Sequence, residues 1–572
     1  MSAMAGTGGE TSAMAGTGVD PLTVAVVWGR LAAIAEEMAE AQQRCAYSDQ
    51  VREGGDYSTA VFDASGRMLA QANRSPAHLG AMPHVVRNML GAYPAETLEP
   101  GDVVVLNDPY MGSGHLPDLF AMSPSFDAGR LVGFVVSSVH LTDIGGPAPG
   151  SQAVVGVTDI VQEGLRLLPT RIYRRGEPVR EILDLLAANV RVPDPVLGDI
   201  RAQRAALHVG ATKLAQFHSR TGTEVVDAVA EEILARSEQA VRRELLAIPD
   251  GTASFVDHLD DYGPETPPIR MEVAVTIEGS DVTFDFTGTD RQTPSSLNCT
   301  LSYTTAYCYW ATKAITTRDT IPQNEGQLRA VHVIAPPGCF FNPVPPAALN
   351  GRALVNQRIV ELIFGALAKM VPERVCAASG QWLNPIFGGI EPGTGRPFVF
   401  YDYVMGGVGA RASKDGIDAI SPTVSVENIP VEAQEARNPI LVERYELIPD
   451  SGGAGRYRGG LGVRKDVRML ADEVVLSNLT DRHVFPAYGL HGGRDGVLGE
   501  TVLDPGGPRE RKLHSKEVVH LRRGDVVSFR CSGSGGVGRP EERPREKVLE
   551  DVREGLVTPR AARELYGLDV ES

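Results

Sequence analysis

The chain has 572 residues, 42% of them hydrophobic and 22% charged, with 55 Lys and Arg against 72 Asp and Glu for a formal net charge of −17. That apolar share excludes global disorder, and the acidic excess repels phosphate backbones and anionic lipid, so neither a nucleic-acid nor a membrane partner is expected. No apolar run reaches the roughly 18 residues a membrane span needs, and the six cysteines include no C-x-x-C pair, a usage that suits the reducing cytoplasm.

Ser2–Gly8 recurs as Ser12–Gly18, and these small, uncharged residues predict a disordered tail over 1–19 with no signal-peptide pattern. Asp20-Pro21 reads as a helix cap followed by Pro at the first turn. Val24, Val27, Leu31, Ile34, Met38 and Cys45 then mark one face of a helix running to about Arg44. Thr59 to Gln71 reads as a hairpin about an Asp-Ala-Ser-Gly turn, and Val103–Leu106 and Leu131–Val139 read as further strands. Residues 160–250 turn helical, notably Leu183–Ala188 and Val225–Leu246. Period-two strands return at Met271–Ile277 and Asp281–Phe286, and a helix follows over Val355–Lys369. Short strands and Gly-rich turns fill Gln381–Arg530, and Lys547–Tyr566 reads as one charged surface helix. Strands and helices come in blocks without regular alternation. The expected fold is therefore α+β, a large multi-layer subunit with mixed sheets, a helical middle and a strand-rich last third. Its expected parts are the tail (1–19), an α+β region (20–250), a strand-rich region (251–540) and a helical tail (541–572).

Two loops concentrate chemically capable residues. Asn107–Asp118 follows the Val103–Leu106 strand, and His140-Leu-Thr-Asp143-Ile-Gly145-Gly146 follows Leu131–Val139. Each sets polar side chains in glycine-rich backbone at a strand's end. His115 and Asp118, three apart across a turn, can aim at one point, and His140 joins them if the two strands are neighbours. Two imidazoles and a carboxylate with an open position commonly hold Zn²⁺, Mn²⁺ or Fe²⁺. Loop histidines with hydrogen-bonding roles fit the same spacing. Asp56 is either a further candidate carboxylate or a turn cap. His78 and His84 either line a pocket or serve the core, and Glu163, Arg166, Asn189 and Arg191 either orient a substrate or tie loops together.

Two glycine motifs carry no nucleotide site. Gly533-Ser-Gly535-Gly-Val-Gly538 fits G-x-G-x-x-G, yet the 34 residues after it leave no room for a βαβ unit. Gly452–Gly460 lacks the Lys-Ser/Thr ending of a phosphate-binding loop. No G-x-S-x-G elbow is present.

Several motifs in order carry a resemblance to a known family: Asp20-Pro-Leu-Thr, Arg52–Ala60, Phe62–Arg67, Ala77–Met82, Asn107–Asp118, Val139–Ser151 and Gln162–Arg166. Asp285–Gly288, Pro337-Gly338, Asp450–Gly460 and Gly489–Gly493 continue it. From Asp20 to about Tyr566 the chain resembles the hydantoinase B / 5-oxoprolinase family. The resemblance implies a hetero-oligomer, such as a heterotetramer, with a hydantoinase A-type subunit whose ATP site phosphorylates an amide or enol oxygen. The B-type subunit then completes hydrolysis of a hydantoin, N-methylhydantoin, 5-oxoproline or lactam with a divalent metal, Zn or Mn or Fe. It further implies His115, Asp118 and His140 as ligands, Asp56 as a fourth or nearby carboxylate, and Asp56, Glu163 and His140 in the reaction, with Asp56 ahead of Glu163 as general base. A coordinated water with its pKa near about 7 would be the nucleophile. ATP on the partner accounts for the lack of a nucleotide motif here. Two other readings stay open: a subunit of an acetone- or acetophenone-type carboxylase, whose chains are longer, and a non-catalytic scaffold.

Overall fold

The computed structural model describes residues 19–570 except 318–320, 422 and 424–425. The expected repetitive tail falls on residues 1–18, outside the described residues. Helix α1 (Pro21–Cys45) begins where Asp20 caps it, its carboxylate accepting from Thr23 N at 3.0 Å. Val24, Val27, Leu31, Ile34 and Met38 are buried as their spacing predicts, whereas Cys45 at the helix end is exposed. The short helix α2 (Asp49–Arg52) leads into the first sheet.

That sheet contains β1 (Tyr57–Phe62), β2 (Met68–Gln71), β3 (Val103–Leu106), β4 (Asp118–Asp127), β5 (Arg130–His140), β6 (Thr170–Arg174) and β7 (Glu177–Pro178) in the order β2-β1-β5-β4-β3-β6-β7. All its pairings are antiparallel. The sequence predicts β3 and β5, but the two are not neighbours. Strand β4 lies between them, and its first eight residues are all buried, so it shows no apolar-polar alternation to reveal it. Helices α3 (Pro76–Ala92), α4 (Arg180–Asn189), α5 (Pro193–Thr221) and α6 (Thr223–Leu246) complete this half. Helices α1 and α5 pack closely at Gly210, where a Cβ would overlap the sulfur of Met38.

A second sheet, ordered β11-β10-β9-β8, uses β8 (Gly251–Leu259), β9 (Ile269–Glu278), β10 (Asp281–Asp285) and β11 (Val331–Ile334). Between β10 and β11 runs α7 (Leu301–Ile315), which the sequence does not announce. Its Tyr303, Thr304, Tyr307 and Thr312 favour strands, and burial against α3 and α8 (Ala353–Leu367) overrides that preference. Every residue of α8 is buried, so this helix is a central strut. A buried hydrophobic cluster running from Val24 to Leu479 joins these elements.

The last third holds two further sheets, one built on β12 (Ile386–Ile390) and β13 (Pro397–Tyr401). Between the sheets, extended glycine-rich segments lie side by side and bond backbone to backbone: Gly453 N to Ser534 O at 2.7 Å, Gly533 N to Val497 O at 2.9 Å, Ser534 N to Gly460 O at 2.9 Å and Gly535 N to Ala378 O at 2.8 Å. A Cβ on Gly533 or Gly535 would collide with the carbonyl oxygen of Ser451 or Tyr488. The two glycine motifs thus serve close backbone packing. The single C-terminal helix expected is two, Arg545–Arg553 and Pro559–Tyr566. The chain turns at Gly555 (φ +74°), and the second helix is capped by Thr558, whose hydroxyl accepts from Ala561 N at 3.1 Å. No helix among the described residues is long and apolar enough to cross a membrane.

Candidate metal centre

Strand β4 opens with Asp118 and β5 closes with His140, and the antiparallel register sets these two residues opposite each other. His115 reaches the same point from the loop before β4. Asn107 pins that loop, its amide nitrogen donating to Leu116 O at 2.8 Å and its amide oxygen accepting from Leu167 N at 2.6 Å. Asp118 Oδ1 lies 2.9 Å from His115 Nε2 and 3.1 Å from His140 Nδ1, and the two ring nitrogens are 3.2 Å apart. All three side chains are buried. One divalent ion with ligands at about 2.1 Å and right angles has neighbouring ligand atoms about 3.0 Å apart, so this triangle fits one corner of such a site.

The surroundings set the donors' state. His115 Nδ1 donates to Asn350 O at 3.1 Å, which leaves the Nε2 lone pair facing Asp118 and His140. Burial, with the Arg352 charge second, pushes the His115 pKa down to about 3 and keeps the ring neutral. Burial alone would raise Asp118, but the Arg352 guanidinium on its Oδ2 helps to hold its carboxyl well below the usual range. Its second oxygen, Oδ2, accepts from Tyr303 Oη at 2.7 Å and from the Arg352 guanidinium, with His78 Nε2 at 3.4 Å. One carboxylate oxygen is therefore committed to the protein and the other to the triad.

Asp56, just before β1, lines the same small cavity. Its Oδ2 accepts from Tyr403 Oη at 2.8 Å and its Oδ1 lies 4.0 Å from His78 Nε2. It stands beside the triad and is not among the three converging donors. Glu163, expected as a candidate base, does not reach the cavity. Its carboxylate accepts from Leu349 N at 2.8 Å and Asn350 N at 2.6 Å, behind the carbonyl that holds His115. Burial raises its pKa to about 8. The geometry makes Glu163 a support for Asn350 instead of a group facing the reacting atoms. Arg191 likewise ties a loop, donating to Asp143 Oδ1 at 2.9 Å and Gly146 O at 2.6 Å after β5. His78 lines the cavity, and His84 lines a separate one.

A match to the family described as hydantoinase B/oxoprolinase runs over residues 20–540. The chain belongs to that family. It is 34% identical to an uncharacterised protein of Methanocaldococcus jannaschii, covering 96% of each chain. It is 33% identical to the B-type subunit of a putative D-/L-hydantoinase of Pseudomonas sp. strain NS671, over 96% of this chain and 95% of that one. The crystal structure of ATP-dependent caprolactamase from Pseudomonas jessenii superposes with a TM-score of 0.89 at 29% identity, over 97% of each chain. Nucleotide-free acetone carboxylase shares the fold, with a TM-score of 0.88 at 20% identity.

The cavity wall also includes Tyr307, Arg352, Asn356, Trp382 and Tyr401, none of which sequence reasoning singled out. They arrive from α7, the start of α8 and the ends of loops around β12 and β13, with no spacing to connect them. A usable signal does exist at Asn350-Gly-Arg352, where an arginine immediately precedes the apolar-rich start of α8 and, once buried, needs a counter-charge.

Proposed function

We propose that this chain is the metal-bearing hydrolytic subunit of an ATP-dependent cyclic-amide hydrolase. It opens a hydantoin- or lactam-type ring that an A-type partner subunit has activated with ATP. The observation that carries this reading is the buried His115–Asp118–His140 triangle, whose donor atoms converge on one point. The names of the relatives, a hydantoinase of which one subunit matches and an ATP-dependent caprolactamase, support the reaction class.

The triad would hold Zn²⁺, Mn²⁺ or Fe²⁺, which when bound polarises a carbonyl and acidifies water. The other steps belong to the chain. Asp118 brings one negative charge to the triad, with Arg352 and Tyr303 fixing its far oxygen. Asp56 is assigned as the base: it lines the cavity, and Tyr403 orients its carboxylate. It takes a proton from water as the hydroxyl adds to the activated amide carbon and returns it to the ring nitrogen as the C–N bond breaks, leaving an acyl phosphate from which a second water releases inorganic phosphate.

Co-expression with an A-type partner, followed by a hydantoin and lactam panel, tests the reading. Ring-opened product and ATP consumption should both depend on the cyclic amide. His115→Ala should remove stoichiometric metal and turnover while the melting temperature stays within a few degrees. A fully metallated complex that consumes ATP only with a ketone plus bicarbonate would overturn the hydrolase reading. Turnover by His115→Ala at unchanged metal content would overturn the site.

A further inference from the structure

Strand β13 is the last strand of its sheet, and among the described residues it pairs with β12 alone. The register sets Ile386 opposite Tyr401, Phe387 opposite Phe400, Gly388 opposite Val399 and Gly389 opposite Phe398. At one end of this ladder Asp402 N donates to Pro385 O at 3.0 Å, and at the other Glu391 N donates to Arg396 O at 2.8 Å. Bonded and unbonded pairs alternate along an antiparallel ladder. Counted from either end, Phe398 and Phe400 bond to β12, while Val399 and Tyr401 turn their N–H and C=O outward. Those four groups have no partner among the described residues. Yet Val399 is 9% exposed and Tyr401 only 2%. A buried backbone group left unpaired costs about 1–3 kcal/mol, so this edge calls for a partner.

The wall of a cavity of about 510 Å³ includes every residue of β13, Pro397 to Tyr401. Successive side chains of a strand point to opposite faces, so a cavity that touches five in a row runs along the open edge. Residues 48–50, 192–195 and 437–438 also wall it. Its size lies within the roughly 300–1,000 Å³ of small-molecule clefts. A further strand suits this edge poorly. Pro397 has no N–H, which leaves two outward residues, and the inner one, Tyr401, is buried with its side chain on the wall of the metal cavity. A ring amide suits it well. The ring holds that amide cis, so its N–H and C=O point the same way, as do the N–H and C=O of an extended residue.

We propose that the backbone of Tyr401 binds a ring amide of the substrate, its N–H donating to the ring oxygen and its C=O accepting from the ring N–H. This rests on the cyclic-amide reading and narrows the substrate. An amide activated by ATP on its oxygen no longer presents a free carbonyl oxygen to Tyr401 N–H. The amide that pairs with Tyr401 is therefore a second one, and the substrate is a ring with two amides, of the hydantoin kind, not a simple lactam. The metal cavity, at about 30 Å³, is too small to hold such a ring. The Tyr401 side chain stands edge-on to His140, at 4.9 Å between centroids. A ring on the Tyr401 backbone thus waits one side chain from the triad, and that side chain moves before attack.

The test uses the full chain loaded with Zn²⁺ or Mn²⁺, with hydantoin and 1,3-dimethylhydantoin as probes. By calorimetry hydantoin should bind at least about tenfold more tightly, the worth of one or two hydrogen bonds, since the dimethyl ring has no N–H for Tyr401 C=O. Hydrogen exchange read by mass spectrometry should show one further slow amide in segment 397–402 with hydantoin at saturation. Tyr401→Leu and Tyr401→Pro both lose the aromatic ring, and only the proline also loses the N–H. The proline variant should bind hydantoin about tenfold more weakly than the leucine variant at equal metal content. Should it not fold, the probe pair and the exchange data still decide. A wild type that binds neither probe, or both within twofold with exchange unchanged, would overturn the subsite. So would leucine and proline variants of equal affinity. With the A-type partner present, hydantoin should exceed 2-pyrrolidinone at least about tenfold in kcat/KM, and equal values would overturn the two-amide restriction. Binding and protection without ring opening by the complex would sink the proposed reaction and keep the subsite. Ring opening without protection would do the reverse.

Discussion

Tyr303→Phe isolates one hydroxyl in the clamp on Asp118. The phenol donates to Asp118 Oδ2 at 2.7 Å, and both side chains are fully buried. Arg352 stacks 3.9 Å over the same ring, and phenylalanine keeps that face. A hydrogen bond to a charged group is worth about 1.5–3 kcal/mol, and Arg352 remains on the same oxygen, so a loss near about 1.5 kcal/mol in stability is expected. The larger effect should appear in metal affinity. With one of its anchors gone, Asp118 can rotate Oδ1 away from the two imidazole nitrogens, and removal of such an outer partner typically weakens binding about 10–100-fold. Competition with a chromophoric chelator for Zn²⁺ or Mn²⁺ gives the affinity, and a denaturant melt gives the stability. Arg352→Met supplies the upper bound: it strands the buried Asp118 carboxylate without its guanidinium and should cost about 3–5 kcal/mol. A Tyr303→Phe protein whose metal affinity stays within twofold of wild type would refute the view that the Oδ2 contacts set the ligand.

Glu163 predicts a pH effect. Its folded pKa, raised by burial to about 8 from 4.5, means the folded chain binds this proton more tightly than the unfolded chain. Its contribution to stability is therefore full below about pH 4.5 and lost as pH rises through about 8. The melting temperature of Glu163→Gln should fall less than that of wild type between about pH 5 and about pH 9, and parallel curves would contradict this. Gly533→Ala drives a methyl into the Ser451 carbonyl and should destabilise by about 3 kcal/mol in a denaturant melt. A near-neutral result would mean the glycine segments are not closely packed.

Local signals account for what the sequence made legible. The Asp20-Pro21 cap, the Asp63–Gly66 turn and the apolar period of α1 each lie within a few residues, and the structure places those elements as expected. The two loops carrying His115, Asp118 and His140 stood out because polar groups in glycine-rich backbone end apolar strands. Elements that burial decides stayed hidden. Strand β4 is covered on both faces and α7 is made of strand-favouring residues, so neither carries the periodicity of its final state. The role of Glu163 stayed open between orienting a substrate and tying loops together for a related reason: its partners, the backbone of Leu349 and Asn350, lie 186 and 187 positions away.

That distance leads to a last prediction. Residues 20–250 contain Asp56 and all three triad residues, and the sequence suggested them as a region of their own. Yet Asp118 is clamped by Tyr303 and Arg352, 185 and 234 positions beyond it, and His115 is oriented by the carbonyl of Asn350. Without those groups the Asp118 carboxylate would face apolar surface or water with no fixed direction, and His115 would lose the acceptor that sets its tautomer. Each loss is worth about 10–100-fold in metal affinity. A fragment of residues 20–250 should therefore aggregate, or bind Zn²⁺ more than about 100-fold more weakly than the full chain in the same chelator competition. A folded fragment with full-length affinity would show that the triad needs only its own sheet, and that the long-range clamp serves the substrate side of the cavity alone.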